Sequence, residues 1–204
     1  MKKTHPRLQC WLLPLLIILI ILAILYSALK DNFHVVVRDQ VYRSAQLSPA
    51  KTKVLIRLKN IKTIINLRGS NPNKNWYNQE IHMAAALHIN HYDLALSSTA
   101  LPTPEQLREL AHLIQDAPKP ILIHCLSGAD RTGLASAMAK ILLENAPLFE
   151  AKKQFSWQYY VISNQSIGKQ VFNDYQLWLT QQHKTSNLNH FVQWVYSSHP
   201  FHPL

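Results

Sequence analysis

The chain has 204 residues, with 21 Lys and Arg against 11 Asp and Glu and a formal net charge of +10. That length accommodates one medium domain plus a small extra element. Two cysteines, Cys10 and Cys125, exclude a disulfide-stapled scaffold, and the basic balance favours anionic partners without choosing among them.

Leu8 to Leu29 is a run of 22 residues without a charge. As a helix rising about 1.5 Å per residue it would reach roughly 33 Å, enough for a bilayer's hydrocarbon core. It is apolar on every face, unlike the one-sided stripe of a helix packed on a core. A cleaved secretory signal would have a shorter apolar stretch, about 7–15 residues, ending at an A-x-A-like site. Tyr26 and Ala28 make a poor pair for cleavage. Residues 1–30 therefore read as a short N-terminus and a retained transmembrane anchor, with membrane contact through residues 8–29. Lys2, Lys3 and Arg7 precede the span, while Lys30 and Asp31 cancel after it. The positive-inside rule then puts the N-terminus in the cytoplasm and residues 31–204 on the non-cytoplasmic, periplasmic side. Pro14 falls in the first turns, where a missing N–H matters least.

Residues 31–204 carry 17 basic against 11 acidic residues, once Lys2, Lys3, Arg7 and Lys30 are set aside. "HVVVRDQVYRS" reads as a strand or strand pair. "LSPAKTKVLIRL" begins a helix, with Ser48 as N-cap and Pro49 at the first helical position. "KTIINL" is a short β-branched run followed by the turn chemistry of "RGSNPN". "WYNQEIHMAAAL" reads as a helix and "HINHYDL" as a strand. "TPEQLRELAHLI" places Thr103 and Gln106 at capping-box spacing around Pro104. "KPILIHC" is a strand and "TGLASAMAKILLEN" a helix lined with small residues. Alternating strands and helices predict one α/β domain with a central, mostly parallel sheet flanked by helices. From about Pro147 the pattern is helical and aromatic, and its Trp and Tyr are expected in the core.

"PILIH" and "RTGLASAMAKILL" bracket "CLSGAD", so this stretch is the turn from a strand's carboxyl end into a helix N-terminus. Ligands of open α/β sheets bind at those carboxyl ends. Unpaired N–H groups and the positive end of the helix dipole favour an anion there. Consecutive N–H groups curled over a short loop make a nest for phosphate oxygens. Gly128 permits the curl, and Gly133 is expected to let the helix pack close to the sheet. Cys125 at the mouth of the nest is favoured as thiolate by the dipole and by Arg131. Arg131 offers a planar fork for two phosphate oxygens. A thiolate under an anion site and facing a guanidinium is suited to attack phosphorus.

"HCLSGADRTG", residues 124–133, resembles the H-C-x-x-G-x-x-R-[ST]-G signature of the cysteine-dependent protein tyrosine phosphatases. "VYRSAQLSP", "TIINLRG", "WYNQE" and "LSSTALPTPEQL" are similar to the compact dual-specificity branch in its bacterial and fungal forms. The likeness leaves out the anchor and the tail after Glu150. It implies the protein tyrosine phosphatase fold and a phosphomonoester hydrolase that forms a phosphocysteine on Cys125. Arg131 and the amides of Leu126, Ser127, Gly128, Ala129, Asp130 and Arg131 are implied as the phosphate cradle. Thr132 is implied to donate to the cysteine sulfur, and His124 to order the loop and tune the thiolate. The family also needs an acid for the leaving oxygen. Asp93, at the end of a predicted strand, is the candidate, with Asp130 inside the loop as its rival. Relatives with lipid and protein activity that have an Asp there usually carry Lys where this chain has Ala129, a departure from phosphoinositide specificity.

Arg43 and Arg68 follow predicted strands, and either extend the anion site or serve as surface or structural salt-bridge residues. His82, His88 and His91 lack a convincing partner set, so neither a metal nor another cofactor is expected. The expected function is a membrane-anchored phosphatase of phosphotyrosine or phosphoprotein. The alternative is a phospholipid, phosphoinositide or inositol phosphate substrate, with a narrow pocket favouring the first and a wide basic one the second. A non-catalytic phosphate-binding module would lack Cys125 or Arg131, and both are present. No nucleic-acid motif accompanies the basic charge, so no nucleic-acid partner is expected.

Overall fold

Short β-branched and apolar runs form the centre of the molecule. The computed structural model describes residues 13–19, 21, 22, 26 and 30–197. The expected strand pair is β1 (His34–Val37) and β2 (Val41–Ser44), joined by a tight turn. β3 (Thr63–Asn66), β4 (Asn90–Asp93) and β5 (Ile121–His124) complete a five-stranded sheet of order β1-β2-β5-β3-β4. β1 runs antiparallel to β2 and every other pairing is parallel, as expected from the alternation of strands and helices. β3 and β5 are buried along their whole length, which accounts for their near-continuous apolar character.

The register decides where chemistry can be assembled. Ser44 pairs with His124, His124 with Asn66, and Asn66 with Asp93, so these residues form one row at the carboxyl edge of the parallel strands.

Helix α1 (Pro49–Lys59) starts as predicted, the Ser48 hydroxyl accepting from the Lys51 amide. α2 (Asn75–Ala86) and α3 (Pro104–Asp116) follow β3 and β4, and α3 has the full Thr103–Gln106 capping box. α4 (Asp130–Glu144) leaves β5 through the glycine-containing loop and is the central helix, buried from Thr132 to Ala139. Small residues on several faces let it touch the sheet, α3 and the C-terminal helices together. Those helices are α5 (Leu148–Lys152), α6 (Ile167–Gln181) and α7 (Leu188–Val195).

Phe172, Tyr175, Phe191 and Trp194 are fully buried between these helices and α4, with ring centroids 5.0 Å apart for Tyr175–Phe191 and 5.1 Å for Tyr175–Trp194. The expectation of aromatic core packing fails at Trp157, which is 82% exposed on a 3-10 turn, and at Tyr160 and Tyr196, which are also exposed. Gly133 also differs from expectation. A Cβ there would lie 3.1 Å from Gln154 O and from the Phe155 ring, so the close neighbour is the segment after α5 and not the sheet.

The proposed anchor, residues 8–29, lies largely outside the described residues. Its described positions, 13–19, 21, 22 and 26, are helical with exposed side chains. Among the described residues no helix is long and apolar enough to cross a membrane.

Candidate active site

Cys125 follows directly on β5, is 2% exposed, and opens the loop into α4. The loop's conformation is set from behind. His124 Nδ1 lies 3.3 Å from Cys125 O, and the Gln46 amide donates to Leu126 O at 3.0 Å. Asn32 donates to Ser127 O at 3.0 Å. Arg43 donates to Gly128 O at 2.8 Å and to Ala129 O at 3.2 Å. A trans peptide holds its C=O and the next N–H on opposite sides. With the carbonyls of Cys125 to Ala129 turned inward, the amides of Leu126 to Asp130 face outward, as a nest for anion oxygens requires.

Gly128 makes this turn possible on two counts. Its φ is +68°, and a Cβ would lie 2.6 Å from Ser44 C and Ala45 N. Any other residue would meet both the left-handed penalty and the backbone of β2's end.

Arg43 is fully buried, and its guanidinium also donates to Gln154 O and Oε1 and lies 3.9 Å from the Tyr159 ring centroid. Burial lowers its pKa to about 10, partly opposed by Tyr159 and Cys125, so it stays charged at neutral pH. It therefore acts on the loop from beneath and is not a direct ligand in the pocket. Arg131, at the start of α4, donates to Leu96 O at 3.2 Å and to Leu67 O at 3.4 Å. This fixes it beside the chain segments that leave β3 and β4.

The two candidate acids differ in what they hold. Asp130 accepts from the amides of Ile167 and Gly168, both at 2.8 Å, and so caps the N-terminus of α6. Asp93 accepts from Asn66 Nδ2 at 2.8 Å and from the Tyr77 hydroxyl at 2.5 Å. Burial and then the bond to Asp93 push the Tyr77 hydroxyl's pKa up. Asp93 ends β4, three residues before the carbonyl that Arg131 binds.

Beneath this edge lies a buried polar network. Glu80 on α2 accepts from Gln46 at 2.7 Å and lies 2.9 Å from His91 Nε2 and 3.2 Å from His124 Nε2. Burial by itself would raise its pKa. The bonds to His124, His91 and Gln46 overcome that and hold the carboxyl well below the usual range.

The arrangement offers an outward-facing amide nest, a thiol at its base and a guanidinium at its side, the parts needed for attack on a bound phosphoryl group. A family model described as "DSP-PTPase phosphatase fused to NAD+ Kinase" matches residues 26–170. The chain belongs to this family. It is thus a dual-specificity-type cysteine phosphatase, a hydrolase of phosphomonoesters. Solved structures share the fold at low identity. The core catalytic domain of the PP-IP phosphatase Siw14 from S. cerevisiae is 20% identical, with a TM-score of 0.58, covering 76% of this chain and 94% of that one. TpbA from P. aeruginosa is 19% identical, TM-score 0.51, covering 68% and 81%. PTPMT1 is 17% identical, TM-score 0.54, covering 74% and 98%.

In the phosphatase Cys125 and Arg131 stand at the two ends of the loop between β5 and α4, and Asp93 lies in the same row as His124. His124 is buried and bonded within the fold, in keeping with an ordering role. Among the described residues the buried Thr132 hydroxyl has no hydrogen-bond partner, so the donation to the cysteine sulfur that the resemblance implied is not made in this structure. His91 belongs to the Glu80 network, while His82 and His88 are exposed, on α2 and in the turn after it. Among the described residues no group of His, Cys, Asp and Glu could hold a metal ion.

Sequence reasoning missed Glu80, Gln46, Asn32, Asn66 and Tyr77. Glu80 had a readable signal, because Tyr77, Glu80 and Ala84 recur at helical spacing and are the buried residues of α2.

A depressed carboxyl pKa contributes stability that is present above the ordinary value of 4.5 and lost as pH falls through the folded value. Glu80→Gln should therefore be less stable than the parent at neutral pH, yet lose less on acidification below that value. Urea denaturation at two pH values checks this; parallel losses in both proteins would assign the acid sensitivity elsewhere.

Proposed function

We propose that this phosphatase is held at a membrane by residues 8–29 and works through a phosphocysteine on Cys125. The single observation that carries the mechanism is the inward pinning of the loop carbonyls, which leaves the amides of Leu126 to Asp130 facing the pocket. The substrate phosphate sits in that nest with Arg131 on its oxygens, and the Cys125 thiolate attacks phosphorus in line with the leaving oxygen. Donors fixed before the substrate arrives stabilise the charge that spreads over the equatorial oxygens. The Thr132 hydroxyl, buried without a hydrogen-bond partner among the described residues, donates to the sulfur as it leaves in the second step.

Asp93 protonates the leaving oxygen and then takes a proton from the attacking water. Its place at the end of β4, where the chain turns into the irregular stretch that meets Arg131, supports this role. Asp130 is the poorer choice, since withdrawing it would uncap α6.

Open space beside the loop, bordered by Leu126, Ser127 and Arg68, supports the non-protein substrate reading over phosphotyrosine. The cleft beside the loop has a volume of about 910 Å³. Among proteins that share the fold, Siw14 is a PP-IP phosphatase and PTPMT1 has been crystallised with PI(5)P. The charges around the anchor support a catalytic domain on the non-cytoplasmic side.

Turnover of para-nitrophenyl phosphate without added metal should be abolished by Cys125→Ser while phosphate binding survives; full activity in that variant would sink the mechanism. Asp93→Asn should lower kcat by about 10²–10⁴-fold with poor leaving groups and much less with good ones. Equal losses for both would remove Asp93 from the acid role. A reporter fused after Leu204 should be active only outside the cytoplasm, and activity confined to the cytoplasm would reverse the topology.

A further inference from the structure

The cleft does not end at the phosphate loop. Leu126 and Ser127 border it on one side, and its wall continues through Gln46, Arg68 and Trp76 to Lys51, whose charge is paired with Asp31 of the same wall at 2.6 Å. Tyr26 and Lys30, where the apolar N-terminal run ends, close its far side. One phosphomonoester is already provided for by the loop amides and Arg131. The Arg68 guanidinium in that wall is unexplained by a substrate that carries a single phosphate.

Arg68 is built as a held donor. Its guanidinium lies 3.6 Å from the Trp76 ring centroid, and its Nη1 donates to Gln46 Oε1 at 3.1 Å. Gln46 is in turn anchored on Glu80 at 2.7 Å. Stacking on one face and a bond at one edge orient the planar fork at little further entropic cost. Among the described residues its partners are an amide oxygen and an indole ring, not a carboxylate. Burial, and then the like charge of Arg131, push its pKa below the ordinary value, with Cys125 and Glu80 opposing. A second anion placed beside Arg68 would relieve that repulsion.

We propose that this cleft is a second anion subsite, in which Arg68, held flat on Trp76, binds a phosphate group other than the one being hydrolysed. The inference rests on the phosphatase reading above and narrows its substrate class. The preferred substrate is a phosphomonoester whose alcohol portion carries a further phosphate. That chemistry occurs both in a phospholipid headgroup, as a phosphodiester beside a terminal monoester, and in a soluble polyol bisphosphate.

The test uses the full chain in detergent micelles and compares kcat/KM for inositol 1,4-bisphosphate, micellar phosphatidylinositol 5-phosphate and para-nitrophenyl phosphate. Arg68→Ala should lower the ratio of a two-phosphate substrate to the aryl phosphate by about 10- to 100-fold, the range of a charged hydrogen bond lost. Trp76→Leu, which removes the platform but keeps the charge, should lower it in the same direction by less. If Arg68→Ala does not fold, Arg68→Lys and Trp76→Leu carry the comparison. A fall with both two-phosphate substrates supports the subsite for the shared chemistry, and a fall with the micellar lipid alone supports it with the headgroup as source. Ratios that move less than about twofold in every variant would overturn it. So would an equal fall with a phosphotyrosine peptide that lacks a second phosphate. Aryl phosphate turnover surviving Cys125→Ser is a separate result, and it would strike the phosphatase reading instead.

Discussion

Arg43 beneath the phosphate loop is the contact on which the site's geometry depends. Among the described residues this buried guanidinium has no carboxylate partner, and its Nη2 donates instead to the backward-facing carbonyls of Gly128 and Ala129. Those bonds hold the loop inside out relative to an ordinary turn, with its acceptors hidden and its donors displayed. Gln154, on the segment after α5, takes the other end of the same guanidinium. Strand, loop and C-terminal segment are therefore joined at one charge. The charge also adds to the positive field felt by an anion on the loop's other side, so one residue serves both shape and electrostatics.

A second set of contacts ties the strand ends together. Glu80 joins His91 of β4 to His124 of β5 and reaches Gln46, which aligns Arg68. Glu80 reaches the phosphate loop through His124, whose other ring nitrogen lies 3.3 Å from Cys125 O, and reaches Arg68 through Gln46. Polar networks buried at low dielectric tolerate little misalignment, because an unpaired member is expensive. The Glu80 carboxylate thus positions groups around the cleft that it never meets directly.

Much of this was legible in the sequence where local rules apply. The caps at Ser48 and Thr103, the β-branched strands and the glycine at the strand–helix corner all predicted their elements. Cys125, Arg131 and the loop amides between them occupy seven consecutive positions, 125–131. The residues behind the loop were not legible, because their roles are set by pairings far apart in the chain. Asn32 reaches Ser127 across 95 positions, and Arg43 reaches Gln154 across 111. Arg43 read equally as a ligand or an ion-pair residue, since only the fold decides which side of the loop it occupies. Trp157 and Gly133 departed from expectation for a related reason. An aromatic residue or a glycine reveals a need for contact or for room, and not the neighbour that answers it.

Asp130 joins the catalytic corner to helices that arrive long after it in the chain. The matched family region ends at residue 170, inside α6, whereas the rings that cover α4 include Phe172, Tyr175, Phe191 and Trp194. The recognisable block and the folding unit therefore have different boundaries. A fragment cut at the end of the resemblance would retain every reacting group, but it would expose the back of the helix that carries Arg131. In such a fragment the chemistry would be fully encoded, while the cooperativity needed to express it would have been removed.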